Sequence, residues 1–149
     1  MVNSEQERVG QRIKRLEQEL TAAKHAALRP FKINVPQYGV LYELSRQSGL
    51  SGAALARRCM VTPQTMSSVL SNLEGRGLVE RTPHPIHLQI LEVRLTSAGK
   101  TLIREADVVV EEIEQLLDAS FAPGEAAPFL EQLERCEKAV AAWSPKTKS

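Results

Sequence analysis

The feature that most constrains how this chain folds is the amphipathic stretch Val61–Gly77. Four apolar residues, Met66, Val69, Leu70 and Leu73, follow the i, i+3, i+4, i+7 spacing of a helix that packs along one side. The other side carries, before its last turn, only uncharged polar side chains, most of which are mediocre helix formers. Short hydrogen-bonding groups on an exposed helix favour close contact with another polar surface.

The residues before this stretch complete a helix-turn-helix pattern. Ser51 is placed to cap a short helix in which Leu55 and Ala56 face inward. A tight turn then leads into the second helix, which Thr62 caps and Gly77 ends. Two short helices joined in this way, the second with a polar outer face, predict a helix-turn-helix.

Two short strands are expected directly after the helix pair. Residues 78–82 (LVERT) predict the first strand. In Ile90–Leu95 successive side chains would point to opposite faces, with Leu91, Val93 and Leu95 on one face, which predicts a half-buried second strand. A proline-flanked turn at His84-Pro85 joins them. Two strands in this position form a wing, so the predicted domain is a winged helix-turn-helix.

Charge is distributed unevenly along the chain, although its net charge is only +1. Residues 45–100 contain seven Lys or Arg against three Asp or Glu, whereas residues 101–149 contain five against ten. The basic middle segment contains the helix pair and favours an anionic partner. Together with the short polar side chains of Val61–Gly77, this charge favours contact with the bases and phosphates of nucleic acid.

Long helices are predicted on both sides of the winged segment. Residues 4–28 repeat apolar residues in steps of four and three, and a second helix opens at Asn34 and ends at Gly49. Thr96 is expected to cap a helix that runs to about Ala119, and Glu125–Trp143 predicts the last helix. The first helix and the last two have more apolar surface than a small winged domain can cover, so we expect them to pack against a second copy of the chain. The core residues expected of the second helix are Val40, Leu41 and Leu44.

These elements predict a mainly α fold with a small β-wing, in which a winged helix-turn-helix domain is flanked by N- and C-terminal dimerisation helices. We expect the winged region at residues 34–100 and the dimerisation region at residues 1–33 and 101–143. Residues 144–149 predict a disordered tail.

Several motifs occur in a fixed order across the winged region. They are Leu55-Ala56, Thr62–Thr65, Leu73–Arg81 and Leu95–Gly99, preceded by PQYGVLYEL at residues 36–44. In this order they resemble the MarR family of bacterial transcriptional regulators. The resemblance implies a homodimeric repressor that binds a pseudo-palindromic site on double-stranded DNA and is released by a small, often aromatic, effector.

The turn between the two strands departs from the family pattern. The family often carries Asp-x-Arg there, with the arginine in the minor groove, but His87 and Gln89 occupy these places. Gln89 is a candidate DNA contact, yet it cannot supply the cation that a narrow minor groove attracts. The resemblance therefore leaves this contact weak or transfers it to Arg81 or Arg94.

The candidate DNA contacts lie mainly on the second helix of the pair. Gln64 is the expected base reader, because its amide can form two hydrogen bonds with adenine. Thr65 and Ser68 are expected at bases or methyl groups, and Ser67 and Asn72 at phosphates. Charge for the phosphates is expected from Arg57, Arg58, Arg76, Arg81 and Arg94. For the effector, the resemblance points to His25, Phe31, Tyr38 and Tyr42, with ordinary core packing as the alternative for each.

Other functional classes find little support in the sequence. The three histidines belong to no Ser/His/Asp or Cys/His arrangement, and there is no glycine-rich phosphate loop, so we expect neither an enzyme nor a cofactor. His84 and His87 lack a third ligand for a metal. No apolar run is long enough to span a membrane and no signal peptide opens the chain, so we expect a cytoplasmic protein.

Two alternatives stay open at this point. A winged domain can also bind only other proteins, without contacting DNA. A regulator can also sense oxidants through a cysteine, here Cys59 or Cys136, although both lie in apolar helical patterns that predict buried thiols.

Overall fold

The computed structural model describes residues 7–145, so residues 4–6 of the predicted first helix and residues 146–149 of the predicted tail lie outside the described residues. The described chain is mainly helical with one small sheet, which confirms the predicted fold class. Its elements are α1 (Val9–Leu28), a 3₁₀ turn (Arg29–Phe31), α2 (Val35–Arg46), β1 (Leu50–Ser51), α3 (Gly52–Arg58), α4 (Pro63–Gly75), β2 (Val79–Pro83), β3 (Leu91–Leu95), α5 (Ser97–Ala119) and α6 (Ala126–Ala141).

Helices α2, α3 and α4 begin at the capping residues that the sequence indicates, whereas the prediction for the first helix is wrong at residues 7 and 8, because α1 begins at Val9. The Thr62 hydroxyl accepts a hydrogen bond from the backbone N–H of Thr65 at 3.1 Å, which satisfies one of the unpaired donors of the first turn of α4. Ser51 caps α3 in the same way, and Asn34 caps α2. These local signals fix the start of each helix in the helix-turn-helix.

The ends of α3 and α4 share one backbone arrangement, the Schellman motif. The N–H groups of Gly77 and Leu78 donate back to the last turn of α4, both at 3.0 Å, with Gly77 at φ +69°. Met60 and Val61 do the same at the end of α3, and Met60 has φ +54° although it has a side chain. The turn between α3 and α4 is therefore fixed by backbone hydrogen bonds on the α3 side and by the Thr62 cap on the α4 side.

The sheet has three antiparallel strands in the order β1-β3-β2. Val79 pairs with Leu95 in the wing, and Leu50 of β1 pairs with Val93. The sequence did not predict β1, because two residues are too short to show alternation. The prediction that the second helix ends at Gly49 is wrong, because α2 ends at Arg46. The Gly49 N–H donates to the Val93 carbonyl of the sheet at 3.0 Å instead of to a carbonyl of the helix.

One apolar core holds the winged domain together. The four apolar residues of α4 and the three expected core residues of α2 are all buried, as predicted. The same cluster includes Leu28 of α1 and Ile103, Ala106 and Val110 of α5. Parts of the predicted dimerisation region therefore also support the helix-turn-helix.

The chain divides into two compact units, one that runs to Ile113 and one that begins at Glu114. In the second unit the rings of Phe121 and Phe129 pack with their centroids 5.2 Å apart. No residue of α6 is buried. The prediction that the Cys136 thiol is buried is therefore wrong for this chain, because the apolar stripe of α6 is half-buried at Phe129 and Leu133 and exposed from Cys136 onward.

Hydrogen bonds to backbone carbonyls join the start of α5 to the segment that directly follows α4. The Thr96 N–H donates to the Leu78 carbonyl at 3.1 Å, and the Thr96 hydroxyl donates to the Gly77 carbonyl at 2.6 Å. A Cβ added at Gly99 would lie only 2.0 Å from the Leu78 carbonyl oxygen. The closeness of these two segments therefore requires glycine at position 99.

We predict that Gly99→Ala lowers the free energy of unfolding by about 1–3 kcal/mol or more, as expected for overpacking against a rigid neighbour. Urea denaturation followed by circular dichroism measures the change. Gly75→Ala is the matched control, because a Cβ there would have no other atom within 4 Å. It should leave stability unchanged or raise it slightly. Equal stability of the two variants would contradict the close approach of α5 to Leu78.

Candidate nucleic-acid interface

The outer face of α4 presents the uncharged polar side chains that the sequence singled out. The exposed residues on it include Gln64, Thr65, Ser67, Ser68 and Asn72. Among the described residues, no side-chain hydrogen bond holds the Gln64 amide, so both of its polar groups are available to a partner. The Thr65 hydroxyl accepts a hydrogen bond from the Thr62 hydroxyl at 3.0 Å, and Ser68 donates to the Gln64 backbone carbonyl at 3.4 Å.

Asn72 is the one member of this face that is tied to another helix. Its Oδ1 accepts a hydrogen bond from Nε2 of Gln37, on α2, at 2.8 Å. The bond fixes the orientation of the amide and directs its NH₂ group, a donor of its own, away from Gln37. Asn72 therefore links α2 to α4 as well as belonging to the candidate interface.

Arg81 links the wing to α4. Its Nε donates to Oε2 of Glu74 at 2.9 Å and its Nη2 donates to Oε1 at 3.3 Å, a two-point ion pair between β2 and α4. The hydrogen bond with Arg81 lowers the pKa of the Glu74 carboxyl and raises the pKa of the guanidinium. The pair thus offsets one of the positive charges expected for phosphate contacts.

Three further arginines of the candidate set also have partners. Arg58 donates to Glu43 at 3.3 Å and to Gln47 at 2.7 Å. Arg94 bonds to Glu92 and, at 3.1 Å, to the Ser48 hydroxyl. The third of these arginines, Arg76, donates to the backbone carbonyl of Lys32 at 2.8 Å.

Arg57 differs from these four. It is exposed near the end of α3, and no ion pair or side-chain hydrogen bond to the described part of the chain holds it. Its charge is therefore not offset by a neighbouring carboxylate.

Gln89 is exposed in the loop that joins β2 to β3, which we call the wing tip (residues 84–90). The sequence interpretation missed the residue that organises this loop. His84 accepts hydrogen bonds at Nδ1 from the backbone N–H groups of Ile86 and His87, at 3.1 and 3.0 Å. The hydrogen bonds of His84 reach residues only two and three positions later, and such local contacts produce no periodic pattern that a sequence could show.

The four residues predicted for the effector differ in exposure and in their contacts. His25 is exposed, whereas Phe31 is half-buried and packs against the core. Tyr38 is buried and donates to Asp107 at 2.5 Å. Tyr42 stacks on Tyr38 with ring centroids 5.9 Å apart.

A cavity of about 750 Å³ lies between the end of α2, the wing strands and the first turns of α5. None of the four predicted effector residues lines it, but two of them touch its wall: Tyr38 donates to Asp107, and Arg46 donates to the Tyr42 hydroxyl at 3.1 Å. The sequence could not reveal this cavity, because its wall combines residues from four separate elements. The charged residues that line it are Arg46, Glu80, Arg94, Lys100, Arg104 and Asp107.

The remaining candidates are the cysteines and the possible metal ligands. Cys59 is half-buried, and burial raises the pKa of its thiol, which disfavours the reactive thiolate. Within residues 7–145, no group of three His, Cys, Asp or Glu could hold a metal ion. No helix in the same part of the chain is long and apolar enough to cross a membrane.

Comparison with known proteins identifies the family of this chain. Residues 31–87 match the sequence profile of the MarR family. The HTH-type transcriptional repressor Rv2887 of Mycobacterium tuberculosis is 36% identical over 110 residues, which cover 74% of this chain and 79% of that protein. The chain belongs to the MarR family.

Two solved structures of a MarR-family protein, Rv2887 of Mycobacterium tuberculosis, resemble the present fold. The structure of its complex with DNA is 32% identical, has a TM-score of 0.67, and the match covers 87% of this chain and 98% of that one. The structure of its complex with p-aminosalicylic acid is also 32% identical with a TM-score of 0.67, over 88% and 99% of the two chains. The MarR-family fold thus extends over most of the chain, beyond the residues of the profile match.

Proposed function

We propose that this chain is a sequence-specific, double-stranded DNA-binding transcriptional repressor that acts as a homodimer and is released by a small effector. The observation that carries the proposal is the division of α4 into a fully buried apolar stripe and an exposed uncharged polar face. The relative Rv2887, a transcriptional repressor with a solved DNA complex, supports the same function. A bacterial repressor binds the chromosome, so the proposal places the protein in the cytoplasm. The proposal gives the protein no enzymatic role.

In this proposal α4 lies in the major groove, which is wide enough to admit a helix. The unengaged Gln64 amide reads adenine through two hydrogen bonds, and Thr65 and Ser68 contact neighbouring bases or methyl groups. Ser67 and the NH₂ group of Asn72 contact phosphates and fix the register of the helix.

The proposed homodimer accounts for apolar side chains that the single chain leaves exposed. On α1 these are Val9, Ile13 and Leu16, which are spaced along one stripe. On α6, in the other compact unit, Val140 and nearby Trp143 are likewise exposed. Exposed apolar stripes of this kind mark association surfaces, and a two-fold dimer presents two α4 helices to half-sites about one helical turn apart. Dimerisation through residues 1–33 and 101–143 is therefore part of the proposal.

We predict that Gln64→Ala weakens binding to the operator by about 1–3 kcal/mol and changes binding to random DNA little. The reason is that loss of a base contact affects only the sequence that carries the base. The measurement is an electrophoretic shift titration on DNA from upstream of the protein's own gene, beside a random duplex of equal length. Gln115→Ala, at an exposed glutamine of α5, is the control, with its dimerisation checked by size-exclusion chromatography because residue 115 lies in the proposed dimerisation region.

The same titration tests the function as a whole. The wild-type protein should bind the upstream duplex with two chains per site, and binding should weaken as salt rises. Absence of any salt-sensitive binding to double-stranded DNA would instead favour the winged domain as a protein-binding module. An equal loss on both duplexes for Gln64→Ala would remove Gln64 from the base contacts.

Arg57, which has no side-chain partner within residues 7–145, gives a second test. We predict that Arg57→Ala reduces the slope of log K against log salt by about 1, because an unpaired cation releases a counterion when it neutralises a phosphate. Arg58→Ala should change the slope less, because Glu43 already offsets that charge. Titrations at several salt concentrations on one duplex measure both slopes. Equal reductions for the two variants would show that the Arg58 pair opens when DNA binds, whereas a slope that Arg57→Ala leaves unchanged would remove Arg57 from the phosphate contacts.

The proposed effector site is the 750 Å³ cavity beside α2 and α5. Its wall contains more cationic than anionic side chains, with Arg46, Lys100 and Arg104 among the cationic ones. A small aromatic carboxylate fits such a site, since arginine binds a planar carboxylate through two hydrogen bonds. The p-aminosalicylic acid complex of Rv2887 supports this class of ligand. In this proposal Tyr38 and Tyr42 do not contact the ligand. They orient the lining residues Asp107 and Arg46 through their hydrogen bonds.

We predict that Arg104→Ala raises the salicylate concentration needed to release operator DNA by about tenfold, the equivalent of roughly 1.4 kcal/mol. Loss of a charge-assisted hydrogen bond to the carboxylate is the reason. Arg135→Ala, at an exposed arginine of α6 outside the cavity, is the control, and it should respond like the wild type provided that size-exclusion chromatography shows an intact dimer. If both variants respond like the wild type, Arg104 is not part of the effector site.

A further inference from the structure

Gln37, near the start of α2, lies next to the candidate DNA contacts and has no part in the proposed function so far. It is half-buried, and its side-chain amide forms hydrogen bonds in two directions. Its Oε1 accepts a hydrogen bond from the backbone N–H of Asn34 at 3.0 Å, and its Nε2 donates to Oδ1 of Asn72, on α4, at 2.8 Å. Gln37 therefore connects the backbone at the start of α2 to the polar face of α4.

The sequence of these two bonds determines which way each amide points. A backbone N–H can only donate, so the part of Gln37 that meets the Asn34 N–H has to be its carbonyl oxygen. The NH₂ group of Gln37 then faces Asn72, which has to present its own carbonyl oxygen in turn. The side-chain oxygen of Asn72 is thereby directed at α2, and its NH₂ group is turned away from α2.

Arg76, four residues later at the end of α4, lies on the same side of the helix as Asn72. We call these two residues the α2 flank of α4. The Nη1 of Arg76 donates to the backbone carbonyl of Lys32 at 2.8 Å, and a guanidinium has five donors and no acceptor. The flank thus presents N–H donors outward, while its one side-chain acceptor faces Gln37. Phosphate oxygens only accept, so they require an edge of this kind.

The α2 flank is placed to meet phosphates when α4 lies in the major groove. The groove is about 12 Å wide and a helix with its side chains is about 10–12 Å across, so the sides of the helix come close to the phosphate backbones. Asn72 follows Gln64 by eight residues, which places it about 80° further round the helix. If Gln64 faces the bases, Asn72 faces the backbone beside them.

We propose that Gln37 is a positioning residue for DNA binding, which holds the NH₂ group of Asn72 outward as a donor to a phosphate oxygen. The proposal rests on the proposed function, because it takes DNA as the partner of α4. An amide of the opposite polarity would present its oxygen to the phosphate, where two acceptors meet and no hydrogen bond forms. The polarity of this contact is therefore set by the backbone N–H of Asn34, in front of α2, although the contact itself belongs to α4.

The test reverses the polarity of the link without removing it. Gln37→Glu keeps an acceptor for the Asn34 N–H, and glutamate suits this capping-box position as well as glutamine does, so stability in urea should equal that of the wild type. A carboxylate only accepts, so the NH₂ group of Asn72 turns towards it and the oxygen turns outward. Binding should weaken about ten- to a hundredfold on the operator and on a random duplex alike, because the lost hydrogen bond goes to a phosphate. Electrophoretic shift titrations measure both losses.

A second background separates this polarity from the added negative charge. Asn72→Ala alone should bind both duplexes about tenfold more weakly than the wild type. In that background no amide is left to orient, so adding Gln37→Glu should change binding by less than about twofold. Asn34→Ala is the structural control, because it removes the side-chain cap of α2 and keeps the backbone N–H that orients Gln37. It should lower stability in urea and leave DNA binding unchanged.

The proposal is overturned if Gln37→Glu binds DNA like the wild type, which is the result expected if the link only joins α2 to α4. It is also overturned if Gln37→Glu weakens binding equally with and without the Asn72 amide, since the added charge is then the cause. A loss confined to the operator overturns it too, because Asn72 would then contact a base.

The failure of this proposal is distinguishable from the failure of the proposed function. If the wild type binds and Gln64→Ala weakens operator binding selectively while Gln37→Glu has no effect, only the role of Gln37 is wrong. If the wild type binds neither duplex, the proposed function fails with it.

Discussion

Burial of the apolar stripe of α4 is the constraint on which the candidate interface depends. Met66 and Leu73 are almost completely inaccessible, so the helix cannot rotate without exposing them. Burial of each such side chain contributes about 1.5–3 kcal/mol, more than any single polar contact on the outer face. The hydrophobic core thus decides which residues face a partner, and Gln64 is exposed because Met66 and Leu73 are not.

The charged side chains around α4 support structure as much as they supply a positive field. Arg81 is the clearest example, because its ion pair with Glu74 offsets one charge and in return fixes the wing to α4. Ion pairs near a protein surface contribute only about 0–1 kcal/mol to stability, so their effect here is mainly one of orientation. Long-range attraction of an anionic partner then depends on cations without a carboxylate neighbour, such as Arg57.

The sequence predicted the helices and the wing well, because periodic apolar residues and capping residues such as Thr62 and Ser51 act locally. It failed where distant segments meet. Strand β1 forms only because β3 lies beside it, and the glycine requirement at position 99 comes from the carbonyl of Leu78. The partners of the arginines escaped prediction for the same reason: Arg58 and Glu43 lie on different helices, and no sequence spacing records their 3.3 Å separation.

The polar face of α4 also determines what the candidate interface can distinguish. In the proposed complex its contacts are hydrogen bonds, which discriminate between bases because a wrong base leaves a buried donor or acceptor unpaired. Base specificity at α4 therefore depends on the same buried stripe that holds Gln64 at the surface, since a helix free to rotate could not keep its amide opposite one base.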